Sequence, residues 1–134
     1  MVFATHIEPF IFRIIGMSDK KITWHKIAES IADIAFQAND MCVIEVDGKT
    51  LSLAKYHDEL FVFAHKCPHA SGIMADGFID VLGNAVCPIH RYKFNLKNGR
   101  NVTGEGYFLK TYAVKNTDEG VFVGFEDKGF FSFL

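Results

Sequence analysis

The sequence predicts an all-β fold, a small antiparallel barrel or sandwich, on three observations. Short apolar runs with strand alternation or β-branched content recur along the chain. Turn signals rich in Gly, Asp and Asn separate them. Only one segment carries a helical period. With 134 residues, 49% hydrophobic and 22% charged, the chain can bury a core without disulfide staples.

The elements follow in order. Residues 1–20 read as an N-terminal extension, apolar at first and ending in the polar break Ser18-Asp19-Lys20-Lys21. In Lys26–Gln37, Ile27, Ile31, Ile34 and Ala35 share one helical face, but no cap is evident. A single short helix and an irregular turn both remain open there. Met41–Val46 is β-branched and apolar, and Thr50–Tyr56 alternates. The Asp47-Gly48 pair between them is a strong hairpin signal, because both central turn residues need positive φ. Leu60–Ala64 reads as a third strand and Tyr92–Leu96 as a fourth, closed by Asn98-Gly99. Tyr107–Lys115 and Val121–Phe125 form a last hairpin around Asp118-Glu119-Gly120. The stretch Cys67–His90 behaves differently. It reads as two loops joined by a short hairpin over Gly77–Val86.

The formal net charge of −2 argues against a nucleic-acid partner, which calls for a basic excess. No run approaches the ~18 apolar residues of a membrane span. The first stretch lacks a positive leader region and a small-residue cleavage site, so a cytoplasmic location is expected. Three cysteines are too few for a secreted disulfide scaffold.

Two units carry the chemistry. Cys67-Pro68-His69 and Cys87-Pro88-Ile89-His90 each supply one thiolate and one imidazole, with residues 70–86 between them. These ligand types suit zinc and iron–sulfur clusters. A zinc knuckle would place all four on one ion. Each half here mixes one Cys with one His, an arrangement suited to a two-iron cluster with chemically different ends.

On these residues the chain resembles the Rieske [2Fe–2S] family, whose pattern is C-x-H followed by C-x-x-H. Cys67, His69, Cys87 and His90 match it in full. Weaker support spans roughly residues 22–125, from Trp24–Ala28 to the Phe94, Leu96, Gly99 run. The resemblance implies a Rieske-like antiparallel β-sandwich or barrel framework with a two-loop cluster-binding subdomain, about residues 65–95. It implies that Cys67 and Cys87 hold the inner iron, and His69 and His90 the outer iron near the surface. Two ferric ions, two sulfides and two thiolates then sum to zero charge, and one added electron makes the cluster anionic.

The resemblance also sorts the branches. High-potential members carry an extra cysteine in each loop; here those positions are Gly72 and Ile89. They also use a Ser and a Tyr as hydrogen-bond donors to the cluster; here Tyr92 and Phe94 stand there. The implied potential is near the low end of the Rieske range, about −150 mV. The implied function is a ferredoxin passing single electrons from a reductase to a terminal enzyme such as an oxygenase, itself not an enzyme. A small subunit of a nitrite-reductase-like complex and a zinc-stabilised interaction module are the alternatives. Monomer or weak homo-oligomer is expected.

Other features have plainer readings. Cys42 reads as a buried core residue. His6, His25, His57 and His65 read as surface or half-buried histidines. Arg91 stands where the family usually has Gly, as a solvated arginine, a partner contact or a charge that raises the potential slightly. Gly104-Glu105-Gly106 replaces a family proline near the cluster. Asp76, Asp80, Glu105, Asp118 and Glu119 are scattered, with no acidic cluster near the ligands evident. The apolar N-terminus and the Gly129–Leu134 tail are expected to dock on their own domain, with dimerisation as the rival.

Overall fold

The structure, a computed structural model, describes residues 21–127. The N-terminal extension, the apolar tail Gly129–Leu134 and His6 lie outside them. The described elements are β1 (Ile22–Ala28), a 3-10 turn (Ile31–Asp33), β2 (Met41–Val46), β3 (Lys49–Tyr56), β4 (Glu59–Ala64), a second 3-10 turn (Met74–Asp76), β5 (Phe78–Ile79), β6 (Asn84–Val86), β7 (Lys93–Asn95), β8 (Thr111–Thr117) and β9 (Gly120–Glu126). Six strands form one antiparallel sheet in the order β1-β9-β8-β4-β3-β2, curled into a half-barrel; β5-β6-β7 form a second, smaller sheet. The all-β expectation holds.

The turn chemistry explains the register of the large sheet. Asp47 and Gly48 both have positive φ, 49° and 82°, so Val46 faces Lys49 directly. His57 and Asp58 repeat the device at 51° and 65°, and Tyr56 faces Glu59. Two-residue turns of this hand match the natural twist of the strands. Because side chains alternate across a strand, β2–β4 feed two cores. Cys42, Leu53 and Val62 join Val121 and Val123 inside the curl. Their neighbours Met41, Ala54 and Phe63 face the other way and pack with Cys67, Cys87, Phe94 and Leu109. This second core joins the half-barrel to the small sheet.

Lys26–Gln37 takes the irregular course. β1 runs on to Ala28, opposite Val121 across a bulge, and Ser30 makes no side-chain cap to the single 3-10 turn. Ile27, Ile31 and Ile34 still reach one core, which is what their spacing encodes. The last hairpin also differs from expectation. Its first strand starts at Thr111, because Phe108 bridges Arg100 and Leu109 is buried before β8 begins. One alternating run thus serves two places. The hairpin expected over Gly77–Val86 is present as β5 and β6.

Candidate metal centre

The two Cys-His units sit on loops built to one template. In the first, the Cys67 amide donates to the Gly72 carbonyl at 2.7 Å; in the second, the Cys87 amide donates to the Tyr92 carbonyl at 2.9 Å. Each bond closes a loop from a cysteine to the residue five places on. In each loop the amide two residues on donates to the cysteine sulfur: His69 to Cys67 and Ile89 to Cys87, both at 3.4 Å. The mirrored Cys-Pro units in sequence therefore correspond to mirrored backbone paths. Both paths need left-handed residues. Ser71 has φ 60°, and His90 and Arg91 follow one another at 65° and 58°. Arg91 thus adopts the conformation that a glycine takes freely, at a cost of about 1 kcal/mol or more.

The loops bring the four residues together as two pairs. Cys67 and Cys87 are buried, at 3% and 0% exposure, and both are free thiols. Burial pushes the Cys87 thiol up to about 11; the Ile89 amide pulls against this, and the adjacent Cys67 thiol adds to it. A bare thiol here resists ionisation, so a thiolate at this position calls for a cation beside it. On the outer side, His69 is half-buried and His90 exposed. Nδ1 of His90 lies 3.4 Å from Nε2 of His69, and the ring centroids are 5.1 Å apart. Nδ1 of His69 is buried with no hydrogen-bond partner among the described residues. A buried nitrogen without a partner is costly unless it binds something.

These residues fit a [2Fe–2S] cluster. The thiols are buried with amides donating to their sulfurs, His69 Nδ1 is buried without a partner, and Gly72 keeps space open beside the Cys87 sulfur. A Cβ at Gly72 would stand 3.1 Å from the Cys87 sulfur and 3.0 Å from Ile89. Gly72 and Ile89 therefore do lie against each other, and the isoleucine side chain packs where the high-potential branch would bridge. Among the described residues no three Cys, His, Asp or Glu side chains gather as a set for a single metal ion.

Aromatic rings cover the imidazoles. Tyr92 stacks on His69 at 3.9 Å with an interplanar angle of 29°, and Tyr107 lies 5.6 Å from the same ring. Tyr92 thus meets the histidine face to face, whereas Phe94 is fully buried in the core. The Tyr107 contact and the placement of Glu105 beside it were not visible in the sequence. The spacing from β7 to β8 does not reveal that the chain returns to the histidines. Cys42 is 8% exposed in the half-barrel core, and burial raises its thiol, as the plain reading expects. His25 packs on Phe125 and His57 on Tyr56, while His65 Nδ1 is buried with no partner among the described residues.

Comparison with known proteins adds independent findings. Residues 23–113 match the Rieske [2Fe–2S] domain, a cluster-binding domain. The ferredoxin component of the naphthalene 1,2-dioxygenase system of Pseudomonas aeruginosa is 28% identical over 100 residues, covering 73% of this chain and 94% of that protein. A chain in the complex of reduced oxygenase and oxidised ferredoxin in carbazole 1,9a-dioxygenase superposes with a TM-score of 0.61 at 20% identity, covering 73% of this chain and 98% of that one. A Mycobacterium tuberculosis protein assigned as the small subunit of an NADH-dependent nitrite reductase gives 0.66 at 19% identity, covering 78% and 96%. These superpositions speak to the fold. No helix among the described residues is long and apolar enough to cross a membrane. The family match spans more than half of the sequence and ends just inside β8, taking in both loops: the chain belongs to the Rieske [2Fe–2S] domain family.

Proposed function

We propose that Cys67, His69, Cys87 and His90 are the four cluster ligands, and that the protein is a ferredoxin, carrying one electron at a time. In this reading a reductase supplies the electron and a terminal redox enzyme such as an oxygenase receives it. The observation that carries it is the pairing of two buried thiols below two outward imidazoles. The relatives named as ferredoxin components of dioxygenase systems support the partner class.

The chain's own residues divide the work. Cys67 and Cys87 would hold the inner iron in a dry core, and His69 and His90 the outer iron. The amides of His69 and Ile89 stabilise negative charge on the sulfurs. His90, exposed at the tip, gives the short path to a partner. The bound cluster supplies single-electron chemistry. Tyr92 and Tyr107 limit water access to His69. Isoleucine and glycine in place of a disulfide, and a phenyl ring at Phe94, leave the low-potential branch as the reading, near −150 mV.

The protein makes and breaks no substrate bond in this scheme. We further propose a single domain over 1–134 with a cluster-binding subdomain at about 65–95. We propose a cytoplasmic location, a monomer or weak homo-oligomer, and no nucleic-acid or membrane partner. The likeness to a nitrite-reductase small subunit keeps a subunit role as the second reading. Co-purification with a large flavin or haem protein at fixed stoichiometry would favour it.

The test is a visible spectrum before and after dithionite, with iron, sulfide and zinc assayed on the same sample. Two irons and two sulfides with bleaching on reduction are expected. A colourless protein that stays iron-free after anaerobic reconstitution, or that holds one zinc, overturns the reading.

A further inference from the structure

Residues 101–107 form an exposed loop that is nevertheless fixed. Asn101 Nδ2 donates to the Lys93 carbonyl at 3.2 Å, to Thr103 Oγ1 at 3.0 Å and to Glu105 Oε1 at 2.9 Å. Its Oδ1 accepts the amides of Glu105 at 2.6 Å and Gly106 at 3.1 Å. The Thr103 hydroxyl donates to Glu105 Oε1. The loop is tied to Lys93 by the Val102 amide on the Lys93 carbonyl, 2.9 Å, and by the Lys93 amide on Thr103, 3.3 Å.

Lys93 follows Tyr92, the ring stacked on His69, and Tyr107 closes the loop 5.9 Å from Tyr92. The Glu105 carboxylate is therefore pinned in the loop that ends at Tyr107, whose ring lies 5.6 Å from that of His69. The Thr103 bond is the largest cause holding its carboxyl below the ordinary range, and the Asn101 bond also lowers it. The Lys93 ammonium lies 3.5 Å from Asp80, so it is engaged away from this carboxylate.

We propose that Glu105 is a tuning residue whose fixed negative charge beside His69 holds the reduction potential down and makes the protein a stronger donor. This rests on the ligand assignment above. Glu105 is exposed, but its hydrogen bonds hold the charge in one place, so its field opposes an incoming electron and weakens as salt rises.

The experiment uses the cluster-loaded protein and a redox dye of matched potential. Glu105→Gln keeps an oxygen acceptor and the side-chain size but removes the charge. It is expected to shift the dye equilibrium severalfold towards reduced protein. Glu105→Asp keeps the charge and should shift it far less. The gap between wild type and Glu105→Gln should narrow as salt rises, because fields are screened and loop rearrangements are not. An unchanged potential in Glu105→Gln overturns the proposal. Equal shifts in both variants, or a gap indifferent to salt, also overturn it. Failure of the wild-type protein to hold two irons and two sulfides would instead overturn the ligand assignment, and the two failures are distinct.

Discussion

β2, β3 and β4 meet residue for residue, from Met41 opposite Ala54 to Tyr56 opposite Glu59, and the chain reverses twice in two residues. Between Lys66 and Arg91 the path is different. Its strands, β5 and β6, are two and three residues long, and it relies on left-handed residues and backbone-to-sulfur bonds. The half-barrel satisfies its backbone through ladders. The loops satisfy theirs through their own amides and leave one imidazole nitrogen unpartnered. Regular pairing gives rigidity without chemistry. The irregular region concentrates donor atoms because its backbone is not committed to a ladder.

Removing a proposed ligand should break this contrast most sharply. Cys87→Ser is expected to abolish the iron–sulfur absorption. Hydrogen exchange of that variant should show lost protection in β5–β7 and retained protection in β2–β4. The half-barrel core around Val62 and Val123 contains neither Cys67 nor Cys87, so it does not depend on the cluster. Equal loss in both sheets would show that the two cores are one cooperative unit.

Glycine substitutions sharpen the comparison next. A Cβ at Gly77 would overlap the Val86 carbonyl oxygen, whereas one at Gly48 meets nothing within 4 Å. Gly77→Ala should cost about 3 kcal/mol. Gly48→Ala should cost only the left-handed penalty, about 1 kcal/mol. Urea denaturation of both variants checks the ratio.

Asp80 carries the pH dependence of the small sheet. Its Oδ1 accepts the amides of Leu82 at 2.9 Å and Asn84 at 3.0 Å, and its Oδ2 accepts Asn84 Nδ2 at 3.1 Å. Burial alone would raise this carboxyl, but those bonds and Lys93 outweigh it and hold it low. A depressed carboxyl stabilises the fold above its unfolded value, near 3.9, and that contribution is lost as pH falls through the folded value. Asp80→Asn should cost about 1–2 kcal/mol at neutral pH and flatten the acid limb of the stability curve. A wild-type-like acid limb in the variant would refute the assignment.

The smallest effect belongs to the exposed edge of the half-barrel. Lys26 and Glu29 pair at 2.9 Å, with the Glu29 side chain 79% exposed. Glu29→Gln should change stability by less than about 0.5 kcal/mol, and thermal melts in low and high salt check this.

The same contrast explains what was legible. Met41–Val46 and Asp47-Gly48 could be read because alternation and positive-φ residues are local signals. The two Cys-His units could be read because cysteine is scarce in this chain and two of its three cysteines stand close to a histidine. The start of β8 could not, since Tyr107–Lys110 alternates like a strand yet makes one isolated bridge, Phe108 to Arg100, before β8 begins. Ile27, Ile31 and Ile34 share a helical spacing, but tertiary burial in an irregular segment produced it. Glu105 looked like one scattered acid among several. Its importance comes from Asn101 and Thr103 turning it back towards β7, a long-range fact with no sequence period.

The separation of the two cores bears on how such a protein is maintained. Val62, Leu53, Val121 and Val123 pack without either cysteine, while Cys67 and Cys87 lie in the core shared with the small sheet. On the proposed ligand assignment, a molecule that loses its metal is expected to keep the packing around Val62 and Val123. Its loops would then stay tethered to a folded frame, so that restoring the carrier would call for new iron and sulfide and not for a new chain.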